Sequence, residues 1–274
     1  MNIGIIGQGF VGNAIYQKFK KYYKIKTFDL DESKSNSTKQ ELLDNSDIVF
    51  VCLPTPMNKD GSCNTDIVEG AIKDLNDAGE YIVVIKSTIE PGTTDRLNEK
   101  YSNIDIVFNP EFLTEANAVD DFENQTRIIL GGTNKSTTII KRIYSSIFRK
   151  TSKIVKTDAK TAELVKYVTN CFLATKVSFA NEIYQLCEGL ELDYDKVIEY
   201  ATYDERLGLS HWGVPGPDGD FGYGGHCFPK DLQALITISK ELGTINNVLK
   251  ASQQTNDTVR SNRDWEKMKG RAVI

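Results

Sequence analysis

The chain opens with a short apolar run, Asn2 to Ile6. A glycine-rich turn follows, and then apolar positions three and four apart from Phe10 to Phe19, so a buried strand should lead into an amphipathic helix. Further runs rich in β-branched residues come at IKTFD, DIVFVCLP, YIVVIKST, IDIVFNP, RIILGG and KIVKT, with helix-like stretches between several of them. Strands apolar on both sides need cover on both faces. The pattern therefore predicts an α/β architecture with a doubly wound parallel sheet over residues 1–155. From Asp158 the spacing changes to that of one long helix, DAKTAELVKYVTNCFLATKVSFANEIYQLCEGL, with Asp158 as cap and Gly189 as stop. Shorter helices near Tyr194–Tyr203, from Asp231 to about Leu242 and from about Ile245 to Met268 complete an all-helical second domain over residues 156–274. The last helix is unusually polar, so it should face solvent or a partner through a narrow stripe that includes Val248, Leu249 and Val259.

The first turn carries chemistry. GQGFVG places glycines at 7, 9 and 12 between strand and helix, the spacing of a Rossmann-type nucleotide turn. The first glycine makes the turn, the second lets a pyrophosphate approach the backbone, and the third lets the helix pack closely. Asp29 ends the second strand at about the twenty-residue offset where a carboxylate holds ribose hydroxyls, and a carboxylate there repels a ribose phosphate, so NAD is favoured over NADP. A glycine turn without a dinucleotide is the bland alternative. Ligands on such sheets lie at the carboxyl ends of the strands, which draws attention to Thr55, Pro56, Ser87, Thr88, Glu111 and Glu115. The two glutamates, four apart, could share one pocket on a turn or short helix, or be solvated loop acids, and the hydroxyls could be helix caps.

In the second half the stretch FGYGGHCFPKD sets one cysteine, Cys227, between glycines and the start of a helix, with Pro229 suited to the first helical position. A helix N-terminus and a neighbouring Lys230 favour the thiolate, which attacks carbonyls. The alternative is a small buried apolar residue beside a tight turn. The loop around it, from DERLG to FPKDL, is too long for an ordinary connection, and its aromatic residues favour order. Lys166 and Asn170 lie one helical turn apart, either as donors to an oxyanion or as an exposed lysine and an amide bonded to backbone.

Composition narrows the classes. With 38 acidic against 33 basic residues and a net charge of −5, no basic stripe is available for nucleic acid. No charge-free apolar run reaches membrane-spanning length and no charged leader precedes the first strand, so a cytoplasmic protein is expected. Five scattered cysteines suit a reducing compartment better than a disulfide framework, and with two histidines and no paired cysteine spacing no metal site is expected.

In family order, GQGFVG, STIEPGTT, NPEFLTEANAVDDF, RIILGG, AELVKYVTNCFLA, DERLG and GYGGHCFPKD resemble the UDP-glucose/GDP-mannose 6-dehydrogenase family over nearly the whole chain. The resemblance implies an NAD-dependent four-electron oxidation of a nucleotide sugar, UDP-glucose first among candidates. In it Cys227 forms a thiohemiacetal and then a thioester. It implies that Lys166 and Asn170 stabilise oxyanions and place the water, that Asp231 works with that water, and that Glu111 is the acid or base of hydrolysis, with Thr88 and Glu115 beside it. Phe221 and Gly224 fall on substrate-binding positions, and Arg206 matches an arginine that reaches a substrate held by the partner of a homodimer, expected through the helical domain. Gly7, Gly9, Phe10, Val11, Gly12, Asp29, Lys34, Thr55 and Thr88 fall on cofactor-contacting positions. The family plan continues with a second nucleotide-binding sheet, of which KGRAVI resembles only the opening strand. The chain is expected to lack that domain, leaving its final apolar residues disordered or captured by a neighbour.

Overall fold

The structure, a computed structural model, describes residues 1–148 and 152–274. Its contacts gather into two compact units, Met1–Thr55 with Thr65–Lys166, and Pro56–Asn64 with Tyr167–Ile274.

The first unit is built on seven strands: β1 (Asn2–Ile6), β2 (Lys24–Phe28), β3 (Ile48–Val51), β4 (Tyr81–Ile85), β5 (Ile104–Phe108), β6 (Arg127–Gly131) and β7 (Lys153–Thr157). Their order is β2-β1-β3-β4-β5-β6-β7. Helices α1 (Phe10–Phe19), α2 (Lys39–Asp44), α3 (Asp66–Ala78), α4 (Thr93–Lys100), α5 (Ala118–Glu123) and α6 (Asn134–Ile147) connect them. Alternation along the strands decides which residue meets which helix layer. Ile3, Ile5, Phe50, Val84 and Val107 join one core with Ile15 and Phe19 of α1, Phe122 of α5 and Tyr144 of α6. Ile6, Val49, Val51, Val83 and Ile85 join the other with Leu42 of α2, Ile72 of α3 and Leu97 of α4. Each such side chain contributes about 1.5–3 kcal/mol by leaving water, so a sheet covered on both faces is a stiff frame.

The doubly wound α/β sheet is the expected one, with a single local departure. The sheet is not wholly parallel, because β6 joins β5 antiparallel through the single pair Phe108–Gly131. Pro110 has no N–H with which to extend that ladder. The side chain of Asn109 substitutes, its Nδ2 donating to the Ile129 carbonyl at 2.7 Å. The strand order reverses between β1 and β3, the switch point at which such sheets bind ligands beyond their carboxyl ends.

The helix α7 (Ala159–Gly189) starts in the first unit and runs on into the second, which adds α8 (Tyr194–Ala201), α9 (Phe228–Glu241) and α10 (Asn247–Val259). Asp158 caps α7 as expected, its Oδ1 accepting from the Thr161 amide at 2.8 Å. The final helix is shorter than its spacing predicts. At Arg260 the backbone becomes extended, and only a 3₁₀ turn, Asp264–Lys267, follows. The cause is the buried Arg260 guanidinium, which pairs with Asp218 at 2.6 Å and Asp264 at 3.2 Å and donates from Nε to the Asn262 carbonyl, folding the chain back around itself. The segment KGRAVI is not disordered. The Met57 amide donates to the Ala272 carbonyl at 2.8 Å and the Ile274 amide to the Met57 carbonyl at 3.2 Å, so residues from the first half of the sequence capture it. Among the described residues no helix is long and apolar enough to cross a membrane.

Candidate active site

At the carboxyl end of β1 the chain turns into α1 so tightly that a Cβ on Gly12 would lie 1.9 Å from the Gly7 carbonyl oxygen. Only glycine permits that approach. At Gly9, by contrast, a Cβ would meet nothing within 4 Å. Gly9 is the N-cap of α1 and offers its first-turn amides no side-chain acceptor. Open space at a helix start whose N-cap has no side chain fits a pyrophosphate. Phe10 and Val11 pack their side chains on the core and contribute backbone to that turn. Asp29 follows β2, and its Oδ2 accepts from the Gln8 amide at 2.6 Å while Oδ1 accepts from the Asp31 amide at 2.9 Å. A carboxylate fixed at both oxygens beside the turn fits a ribose. Lys34 is half-exposed and pairs with Asp31 at 3.1 Å. Beyond β3 the buried Thr55 hydroxyl donates to the Thr88 carbonyl at 2.7 Å, tying the strand ends together. These residues fit NAD.

Beyond β5 the same unit buries an ion pair. Lys166 Nζ, on α7, donates to Glu111 Oε1 and to the Glu111 carbonyl, each at 2.8 Å, and the Leu113 amide donates to Oε2 at 2.7 Å. Burial alone would push the Glu111 carboxyl up. The Lys166 charge and its hydrogen bond, the Leu113 amide and the more distant Lys86 outweigh it and hold the group below its ordinary range. Glu115 is exposed, because residues 109–117 run without helix until α5 starts. Glu111 is thus buried and Glu115 exposed, and no helical turn relates the two positions.

In the second unit Cys227 is the half-buried N-cap of α9, and Pro229 lies in the first turn. Behind it the buried Asp231 uses both oxygens, Oδ1 accepting from Lys230 Nζ at 2.5 Å and Oδ2 from Asn170 Nδ2 at 2.6 Å. Burial disfavours the Lys230 ammonium, but Asp231, Cys63 and Cys227 around it raise its pKa well above the ordinary lysine range. A fixed positive charge thus lies next to the cysteine, and one amide and one carboxylate are already locked in place. The loop before Cys227 is equally constrained. The Tyr223 amide donates to Asn256 Oδ1 at 2.7 Å and Asn256 Nδ2 donates to the Tyr223 carbonyl at 3.0 Å, while the Gly225 amide donates to Asp264 Oδ2 at 3.0 Å. A Cβ on Gly224 would strike Arg260 Nη2 at 2.2 Å. Phe221 stacks obliquely on Tyr184 at 5.6 Å. Arg206 projects into solvent and is braced by Asp204, its Nε 2.9 Å from Oδ1. Among the described residues no group of three His, Cys, Asp or Glu side chains is placed to hold a metal ion.

Comparison with known proteins supplies what geometry alone does not. Residues 31–151 match the NAD binding domain of the UDP-glucose/GDP-mannose dehydrogenase family, and residues 160–258 its central domain. The chain is 31% identical to UDP-glucose 6-dehydrogenase TuaD of Bacillus subtilis over 94% of its own length and 63% of that protein. It is 30% identical to UDP-glucose 6-dehydrogenase AglM of Haloferax volcanii, covering 94% of this chain and 70% of the relative. The chain belongs to the UDP-glucose/GDP-mannose dehydrogenase family. A solved UDP-glucose dehydrogenase from Pyrobaculum islandicum superposes with a TM-score of 0.85 at 27% identity, over 94% of this chain and 68% of that one. The chain thus spans about two-thirds of the length of these family members.

Sequence reasoning missed several residues in this family member. Asn256, Arg260 and Asp264 hold the glycine loop, and Lys86, Asn109 and Tyr144 lie beneath Glu111. The signal for the first group was present in the polarity of the last helix. Its buried Asn256 and Ser252 are core contacts and not a solvent face.

Proposed function

We propose that the chain is an NAD-dependent nucleotide-sugar dehydrogenase that takes the primary alcohol of a UDP-hexose, UDP-glucose first among candidates, through the aldehyde to the carboxylate. The observation that carries this reading is Cys227 at the N-terminus of α9 beside the locked Lys230, Asp231 and Asn170. The curated relatives named as UDP-glucose 6-dehydrogenases support the substrate class. NAD, when bound, supplies the hydride acceptor for two successive oxidations. Gly9, Asp29 and Thr55 would hold it. The Cys227 thiolate adds to the aldehyde carbon, and Lys166 and Asn170 donate to the oxyanion that forms. Oxidation of this adduct leaves a thioester. Water held with the help of Asp231 then adds to the thioester, Glu111 moves a proton, and Cys227 leaves as thiolate. The balance is one alcohol, one water and two oxidised NAD in, one carboxylate, two NADH and three protons out.

The apolar side chains Val168, Phe172, Phe179 and Leu186 are exposed along α7, and a second copy of the chain is the occupant this reading assigns to them. Arg206, exposed and braced, is available to reach a substrate in that copy.

NADH formation with UDP-glucose tests the proposal, run beside Cys227→Ser and counted per sugar consumed. Two NADH per sugar in the unaltered chain and a stalled Cys227→Ser variant are expected. Folded protein that binds NAD but yields no NADH from any UDP- or GDP-hexose would sink it. That outcome would favour an NAD-binding dimer that depends on a separate nucleotide-binding domain, and restored turnover on adding such a domain would decide.

A further inference from the structure

Lys86 is the first residue after β4, and its side chain is only 4% exposed. A buried ammonium normally has a carboxylate against it. Among the described residues Lys86 has none within ion-pair distance. Its Nζ donates instead to two neutral acceptors, Asn109 Oδ1 at 2.9 Å and the Pro110 carbonyl at 3.4 Å. Both belong to the segment that ends in Glu111. Asn109 is held from two further directions, accepting from the Tyr144 hydroxyl at 2.5 Å and donating to the Ile129 carbonyl at 2.7 Å. Glu111 is thus fixed by Lys86 through its backbone on one side and by Lys166 through its carboxylate on the other.

We propose that Lys86 is a positioning residue that clamps Asn109 and Pro110 so that the Glu111 carboxylate is presented to Lys166. The proposal rests on the dehydrogenase reading only for its consequence in turnover. The clamp itself is a statement about Glu111. The titratable groups facing this cluster are Cys52 beyond β3, Tyr144 on α6, Lys166 on α7 and Glu111 itself. Burial first, and the Lys166 charge with it, depress Lys86 to about 8, while Cys52 and Glu111 act the other way. Over the acid range in which Glu111 titrates, Lys86 is therefore fully charged.

The test follows the titration of Glu111 by carbon NMR in glutamate-labelled protein, with Glu111→Gln identifying the signal. In Lys86→Met the clamp and its charge are gone, Glu111 drifts from Lys166, and its midpoint should rise by about one pH unit. Lys86→Arg, which keeps charge and donors, should restore it. A merely structural lysine would lower the unfolding temperature and leave the Glu111 midpoint where it was, and that result overturns the proposal. Should Lys86→Met fail to fold, the reciprocal measurement stands in its place. In Glu111→Gln the Lys86 midpoint must fall below its value in the unaltered chain, and an unmoved midpoint overturns the proposal equally. Turnover separates the two readings. No NADH from the unaltered chain removes the dehydrogenase reading and leaves the titration result standing, whereas full turnover by Lys86→Met with a shifted Glu111 midpoint removes only the consequence in turnover.

Discussion

A carboxylate buried against an ammonium makes stability depend on pH in a direction that can be worked out. Glu111 is held below its ordinary value of 4.5, with burial outweighed by Lys166, the Leu113 amide and Lys86. Its contribution is therefore complete above about pH 4.5 and is lost as pH falls through the lower folded value. Glu111→Gln should unfold more easily at neutral pH, by about 3–5 kcal/mol, because Lys166 loses the carboxylate against which it is buried. Its stability should also fall less steeply below pH 4.5, and urea titrations between pH 3 and 7 check both. At Gly12 the conflict is steric. A methyl group 1.9 Å from the Gly7 carbonyl forces α1 away from β1, so Gly12→Ala should cost about 1–3 kcal/mol and weaken NAD binding, read by denaturation and by cofactor titration. Such residues were legible because their chemistry is local. Gly7 to Gly12 and Asp29 stand out by spacing, and Cys227 by its place between glycines and a helix start, which alone left a buried apolar residue as the alternative. Lys86 and Asn109 did not, since their roles come from residues brought together across β4, β5 and α6.

At the scale of elements, hydrophobic period predicted all seven strands and the long α7, because a strand covered on both faces and a buried helix each leave a strong apolar signature. It failed where polar contacts take over. The turn at Arg260 depends on Asp218, some forty residues earlier in the chain, and no local pattern encodes it. The same polar contacts make α10 the brace of the cysteine loop. Asn256→Ala would leave the Tyr223 amide and carbonyl buried without partners. A loss of about 1–3 kcal/mol is expected in chemical denaturation. Cys227 should become more reactive toward an alkylating reagent as the loop loosens, and an unchanged alkylation rate would show that the loop is held by other contacts.

For the whole molecule, the exposed face of α7 makes association the testable property. Phe172, 67% exposed, lies mid-way along it, and if the proposed dimer forms through this face, Phe172→Asp should give a monomer by light scattering while leaving the monomer's unfolding free energy within about 0.5 kcal/mol. Each of the two units has its own core, and the second takes in Pro56–Asn64, which lies in sequence between the two stretches of the first. That connectivity has a consequence for synthesis. The partners of Met57, Ala272 and Ile274, leave the ribosome roughly two hundred residues after it, on the order of 10–40 s at ordinary elongation rates. Through that interval the sheet can already be folding around a segment whose binding site has not yet been translated, and a chaperone that shields short extended stretches would find its target there.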